Sequence, residues 1–117
     1  MTTKLSESQI QSQCVTWLWN TYPQTRGLFF AVNNNSEHIA RAMQRKSIGL
    51  VRGVSDTIFL WRHRAYLIEF KTPQGSLSES QKSWKAKMFQ HGFNYFVVRS
   101  LDEFILVIEK ILSENYD

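Results

Sequence analysis

The chain has 117 residues, 43% hydrophobic and 14% aromatic, which suits one domain with one packed core and excludes a disordered chain. Lys and Arg number 14 against 10 Asp and Glu, a net charge of +4, and this modest basic excess favours a polyanionic partner without naming one. The single cysteine, Cys14, excludes an internal disulfide and a cysteine-rich zinc site, while the absence of a leader or a membrane-length apolar run sets the expectation of a cytoplasmic protein.

Met1 to Leu5 reads as a loose start. SESQIQSQCVTWLWNTYP, beginning at Ser6, is predicted to be helical. Ser6 and Gln9 have capping-box spacing, and Ile10, Cys14, Trp17 and Leu18 make one apolar stripe that Pro23 ends. Cys14 in that stripe reads as a small core hydrophobe. GLFFAVN (27–33) is a short apolar run after a turn, hence a buried strand. SEHIARAMQRKSIG (36–49) predicts a second helix, capped by Ser36, with Ile39, Ala40 and Met43 inward and Gly49 as its stop. Residues 56–61 and 65–71 are two strands around a short basic break. SLSESQKSWKAKMFQHG (76–92) predicts a third helix, with Trp84 and Met88 four apart and Gly92 as terminator. NYFVVRS (94–100) is a strand. The last helix spans 100–115, with Ser100 and Glu103 in capping-box spacing and Phe104, Val107, Ile108 and Ile111 on its buried side.

The order is α-β-α-β-β-α-β-α. Strands two and three form a hairpin, and the helix between strands three and four implies a parallel return. Thr57, Phe59 and Trp61 alternate with Ile58 and Leu60, so both sheet faces carry apolar side chains and need helices on both sides. The expected fold is a three-layer α/β/α sandwich around a four-stranded mixed sheet.

A hairpin turning symmetrically about Arg62 and His63 pairs Phe59 with Tyr66 and Ile58 with Leu67. The same register sets Asp56 opposite Glu69, with Cβ atoms about 4.5–5.5 Å apart. Strand alternation puts Glu69 and Lys71 on one face and Phe70 on the other. A turn one residue longer would send Asp56 to the wrong face. Carboxylates this close repel unless one is protonated or a divalent cation sits between them. An all-oxygen site with waters suits Mg2+ or Mn2+. Such a metal acidifies a water and polarises a phosphate, and Lys71 is placed to orient that water or offset developing charge. A bare E-x-K triplet reads more simply as an exposed ion pair worth under about 1 kcal/mol. Asp56 at matching register and the apolar company of Glu69 reverse that preference.

These residues resemble the PD-(D/E)XK nuclease superfamily, and more closely its VRR-NUC (virus-type replication-repair nuclease) group. The resemblance covers SESQIQSQCVTWL, AVNNNSE, GVSD, IEFKTPQGSLSESQ and the terminal strand and helix. It implies a restriction-endonuclease-like fold. It also implies that Asp56 and Glu69 bind the metal, that Lys71 is the catalytic lysine, and that the Phe70 carbonyl completes the metal shell. Gln81 matches a helix glutamine beside the site, and Glu7 an acid of the first helix that can reach the metal or its waters. Ser55 departs from the family pattern, which has proline before the aspartate.

Arg41, Arg45, Arg52, Lys85 and Asn34 are the candidates for nucleic-acid contact, because cations and amides near the acids would hold phosphates. Arg62 and Arg64 are weaker candidates, since the hairpin turn lies at the opposite end of the strands. His38, His63 and His91 share no ligand spacing. The expected activity is a Mg2+- or Mn2+-dependent, structure-selective DNA endonuclease, resolvase-like, of phage or mobile-element replication and repair. The resemblance adds a homodimer acting on branched DNA; the sequence does not show its face, for which the apolar surplus at Trp19 and Tyr22 of the first helix or near Trp61 is suggestive only. The alternatives are a DNA-binding module on an inactive nuclease fold and a protein-interaction domain.

Overall fold

The computed structural model describes residues 4–32, 49 and 51–114. All but the terminal Gly49 of the helix expected over 36–49, and with it Arg41 and Arg45, lies outside them, as does Asn34. The described elements are α1 (Glu7–Thr21), a 3-10 turn (Pro23–Thr25), β1 (Phe29–Ala31), β2 (Thr57–Trp61), β3 (Arg64–Phe70), α2 (Glu79–Gln90), β4 (Asn94–Val98) and α3 (Leu101–Ser113).

The sheet order is β1-β2-β3-β4. β1 and β3 both run antiparallel to β2, and β4 runs parallel to β3 after the α2 crossover. This is the mixed four-stranded sheet expected from the element order. β1 is shorter than the apolar run suggested, and only Phe29 of it is buried, Phe30 being 38% exposed. Strand side chains alternate between the two faces, and the described helix of the second face, α2, packs on β4 at the other end of the sheet, which a short unbroken apolar run cannot disclose.

Between β2 and β3 the register is the symmetric one, with Phe59 opposite Tyr66 and Ile58 opposite Leu67. Arg62 and His63 carry the turn with φ of +47° and +69°, the left-handed pair of a two-residue type I′ hairpin. That turn matches the strand twist, so it fixes which residues oppose which.

One face of the sheet packs on α1 and α3. The α1 stripe is as predicted, with Ile10, Cys14 and Leu18 buried, and burial pushes the Cys14 thiol up to about 12. Phe104 of α3 is the hub, its ring 5.6 Å from Phe29, 5.8 Å from Phe70 and 6.0 Å from Trp17. Such offset and edge-to-face pairs add to the stabilisation from burying the rings. The opposite face carries α2, whose Trp84 meets Tyr95 of β4 edge-on at 6.1 Å. The result is three layers.

Helix ends follow local chemistry. In α1 both arms of the box form: the Gln9 N–H donates to Ser6 Oγ, and the Ser6 N–H to Gln9 Oε1. α2 begins three residues later than expected, because Ser78 is its cap and Gln81 its reciprocal partner. In α3 the predicted box closes on one side only. Ser100 accepts from the Glu103 N–H, but Glu103 reaches one residue further back and accepts from the Arg99 N–H at 2.8 Å. That fixes Arg99, whose guanidinium donates to the carbonyls of Thr72 and Gly75, both at 2.7 Å. The loop after Lys71 is thus clamped to the β4–α3 junction.

Candidate active site

The site lies at the end of the sheet opposite the hairpin turn. Asp56 immediately precedes β2 and Glu69 is the penultimate residue of β3. The Phe70 N–H donates to Asp56 Oδ2 at 2.8 Å, and the Asp56 N–H donates to Glu69 Oε1 at 3.1 Å. Each acid is therefore held by backbone belonging to the other acid's strand. Ser55 and Thr57 are fully buried and secure the approach. Ser55 Oγ donates to the Thr57 carbonyl at 2.9 Å, and Thr57 Oγ1 donates to the Ile68 carbonyl at 2.8 Å. Ser55 thus stiffens by hydrogen bonding a segment that proline would stiffen by its ring.

Phe70 points into the core against Phe104, so Glu69 and Lys71 on either side of it point to the site. Lys71 is only 8% exposed. Its backbone N–H donates to the Val98 carbonyl at 3.0 Å, continuing the ladder to β4. Its Nζ lies 3.8 Å from Glu69 Oε2 and 3.8 Å from Glu7 Oε1. Gln81 Nε2 donates to Glu69 Oε2 at 3.2 Å, while Gln81 Oε1 accepts from the Ser78 N–H. One amide side chain both caps α2 and holds the glutamate.

Glu69 is 1% exposed. Burial first, then the neighbouring Asp56 carboxylate, pushes its carboxyl up to about 8, with the Lys71 ammonium pulling the other way. Burial, and then the charges of Glu69 and Asp56, also raise the Tyr95 phenol. The buried Tyr95 hydroxyl has no hydrogen-bond partner. Among the described residues no cluster of three or more Asp, Glu, His and Cys forms a metal cage. The donor set is two carboxylates, which suits a hard cation that keeps several waters. Positive charge between Asp56 and Glu69 would relieve the repulsion that raises Glu69, and a hydrated ion would offer water to the orphaned Tyr95 hydroxyl. The residues fit a divalent metal of the Mg2+ or Mn2+ kind.

The VRR-NUC domain family matches residues 3–102 of the chain. The chain belongs to the VRR-NUC family. A solved structure described as a VRR_NUC domain protein superposes with a TM-score of 0.81 at 19% identity, covering 99% of this chain and 96% of that one. At that identity the likeness is one of fold, and it agrees with the nuclease-type α/β architecture. No curated protein matches the sequence.

On this VRR-NUC scaffold Asp56, Glu69, Lys71 and Gln81 converge. Glu7 joins them through Lys71, its carboxylate facing the ammonium. Arg52 is exposed and precedes Gly53, which packs against the first turn of α2. Lys85 lies one turn beyond Gln81, with its ammonium 5.6 Å over the Tyr95 ring. Arg62 and Arg64 are at the far end, Arg62 stacking 5.8 Å over Trp61.

Sequence reasoning missed four contributors. Ser78 was readable from the S-x-x-Q spacing with Gln81. Tyr95 needed the parallel register that sets it opposite Leu67, and Arg99 had no local signal. Gly53 has φ of +83°, and a Cβ there would run into the Ser80 carbonyl and the Gln81 amide. Only a glycine lets the segment leading to Asp56 approach the helix carrying Gln81 so closely.

Proposed function

We propose that this VRR-NUC chain is a Mg2+- or Mn2+-dependent DNA endonuclease that hydrolyses phosphodiester bonds and prefers branched DNA. The observation that carries the reading is the mutual backbone bracing of Asp56 and Glu69 with Lys71 Nζ 3.8 Å from the glutamate. Asp56, Glu69 and the Phe70 carbonyl would hold the metal, and Glu7 would reach its waters. When bound, the metal supplies a Lewis acid for the phosphate and lowers the pKa of a coordinated water.

The chain's own groups do the rest. The bracing hydrogen bonds fix both carboxylates before substrate arrives, so little reorganisation is needed at the moment of reaction. Lys71 is positioned by Glu7 and Glu69 to offset charge that builds on the phosphate oxygens. Gln81 holds the Glu69 carboxylate in one rotamer. Tyr95 has a hydroxyl hydrogen free to donate beside the acids. The finer reading is a homodimeric, resolvase-like enzyme of phage or mobile-element replication and repair, acting in the bacterial cytoplasm. Two active centres would then meet two strands of a junction.

The test is purified protein with Mg2+ or Mn2+ on a four-way junction, a flap and plain duplex. Preferential cutting of a branched substrate, lost in Asp56→Asn while DNA affinity persists, is the expected result. Equal cutting of all three removes the branch preference, and no cutting under either metal removes the nuclease reading.

A further inference from the structure

Beyond Gln81, α2 and β4 enclose a groove of about 630 Å3 lined by Lys82, Lys85, Phe89, Phe93, Asn94 and Tyr95, among other residues. Phe89 is 80% exposed and Phe93 41%. A single bare phenyl on a surface needs no explanation. Two in one groove, bordered by two lysines and an asparagine amide, combine aromatic platforms with cations. Proteins hold unpaired nucleic acid in this way.

Tyr95 links the groove to the acid pair, since it lines the one and feels the charges of the other. Gln81, Lys85 and Phe89 are each four residues apart on α2 and so share one face. Gln81 touches Glu69, Lys85 lies over Tyr95, and Phe89 is the next step along. From Gln81 to Phe89 the helix rises about 12 Å, the length of three to four stacked nucleotides at about 3.4 Å each. Lys82 pairs with Glu79 at 3.5 Å on a largely exposed surface, a contact weak enough to exchange for a phosphate.

We propose that this groove binds a single-stranded DNA segment adjoining the scissile phosphate, with bases on Phe89 and Phe93 and phosphates on Lys82 and Lys85. The inference rests on the nuclease reading of the acid pair and narrows its substrate to DNA carrying an unpaired arm. In a duplex each base face is covered by the stacked neighbouring pair, which leaves none for a phenyl ring. A second copy of the chain is the poorer occupant. A two-fold contact sets the same patch against itself, bringing Lys82 and Lys85 of both copies together.

The test is fluorescence anisotropy of the full chain with labelled oligo(dT) and with a duplex of equal length, in EDTA so that no metal-dependent cutting intervenes. Phe89→Ala, at an exposed helical position that leaves folding intact, is expected to weaken single-strand binding about 5- to 100-fold and duplex binding little. Phe89→Trp restores affinity, and Phe89→Leu, equally apolar but without a ring, does not. Lys82→Ala with Lys85→Ala lowers the salt dependence of log K by about 1.4. Unchanged single-strand affinity in Phe89→Ala, or rescue by leucine, overturns the proposal. So does a shift from dimer to monomer in sedimentation with affinity intact, which assigns the face to self-association. Ring-dependent binding by a wild type that cuts nothing with Mg2+ or Mn2+ supports the groove and overturns only the nuclease reading.

Discussion

Asp56 and Glu69 are each held by the other's strand: the Phe70 N–H binds the aspartate, and the Asp56 N–H binds the glutamate. Removing one carboxylate therefore disturbs both charge and scaffold, and amide substitutions separate the two. Asn at 56 keeps an oxygen for the Phe70 N–H, and Gln at 69 keeps one for the Asp56 N–H. Asp56→Asn and Glu69→Gln are each expected to fold and to lose cleavage by at least about 100-fold, the scale on which pre-set electrostatic groups act. Initial cleavage rates beside circular dichroism melts test this; an active Glu69→Gln would contradict it.

The raised Glu69 carboxyl makes metal-free stability depend on pH. Its folded value is about 8 against an ordinary 4.5, so the folded state binds the proton more tightly. The stabilisation is full below about pH 4.5 and is lost as pH climbs towards 8, at most about 1.4 kcal/mol per pH unit. Urea denaturation in EDTA should show this decline, and Glu69→Gln should flatten it. Adding Mn2+ at pH 8 should raise the wild-type midpoint and leave that of Glu69→Gln nearly unmoved.

Gly53 carries no chemistry yet sits where α2 begins. Gly53→Ala combines a positive φ with a collision against the Ser80 carbonyl and the Gln81 amide. The expected cost is about 1–3 kcal/mol, with a fall in cleavage as Gln81 moves off Glu69. Thermal melts and rates at saturating Mg2+ would show both effects. Full activity in a destabilised Gly53→Ala would detach Gln81 from the reaction.

The hairpin turn offers the opposite case. Arg62 and His63 adopt positive φ without being glycine, and Asn-Gly is the pair that this turn favours. Replacing them by Asn and Gly should stabilise the protein by about 0.5–2 kcal/mol. Cleavage should be unchanged, since the turn lies at the end of the strands away from Asp56. A rise in melting temperature with equal rates is the expected readout.

Much of this arrangement was legible because it is local. The Asp56–Glu69 register follows from a two-residue turn and a period of two, both readable in residues 56–71. The α1 cap and stripe follow from Ser6, Gln9, Ile10, Cys14 and Leu18 alone. What stayed hidden depends on partners distant in the chain. Phe30 stays 38% exposed because it lies on the face whose described helix, α2, packs on β4 at the far end of the sheet, which its apolar run cannot reveal. Glu103 accepts from the Arg99 amide and not from that of Ser100, a difference that the S-x-x-E spacing does not carry. Tyr95 came beside the acids only through the parallel pairing of β3 with β4.

The Arg99 clamp ties the amine's mooring to a late-translated part of the chain. Asp56 and Glu69 meet through a hairpin that closes within a few residues. Lys71 depends on the Val98 carbonyl for its backbone and on Arg99 for the loop that follows it. During synthesis the two carboxylates can therefore come together before the cation between Glu69 and Glu7 is anchored. On the nuclease reading, the acid pair and the amine thus answer to different parts of the chain, the hairpin for the one and the β4–α3 junction for the other.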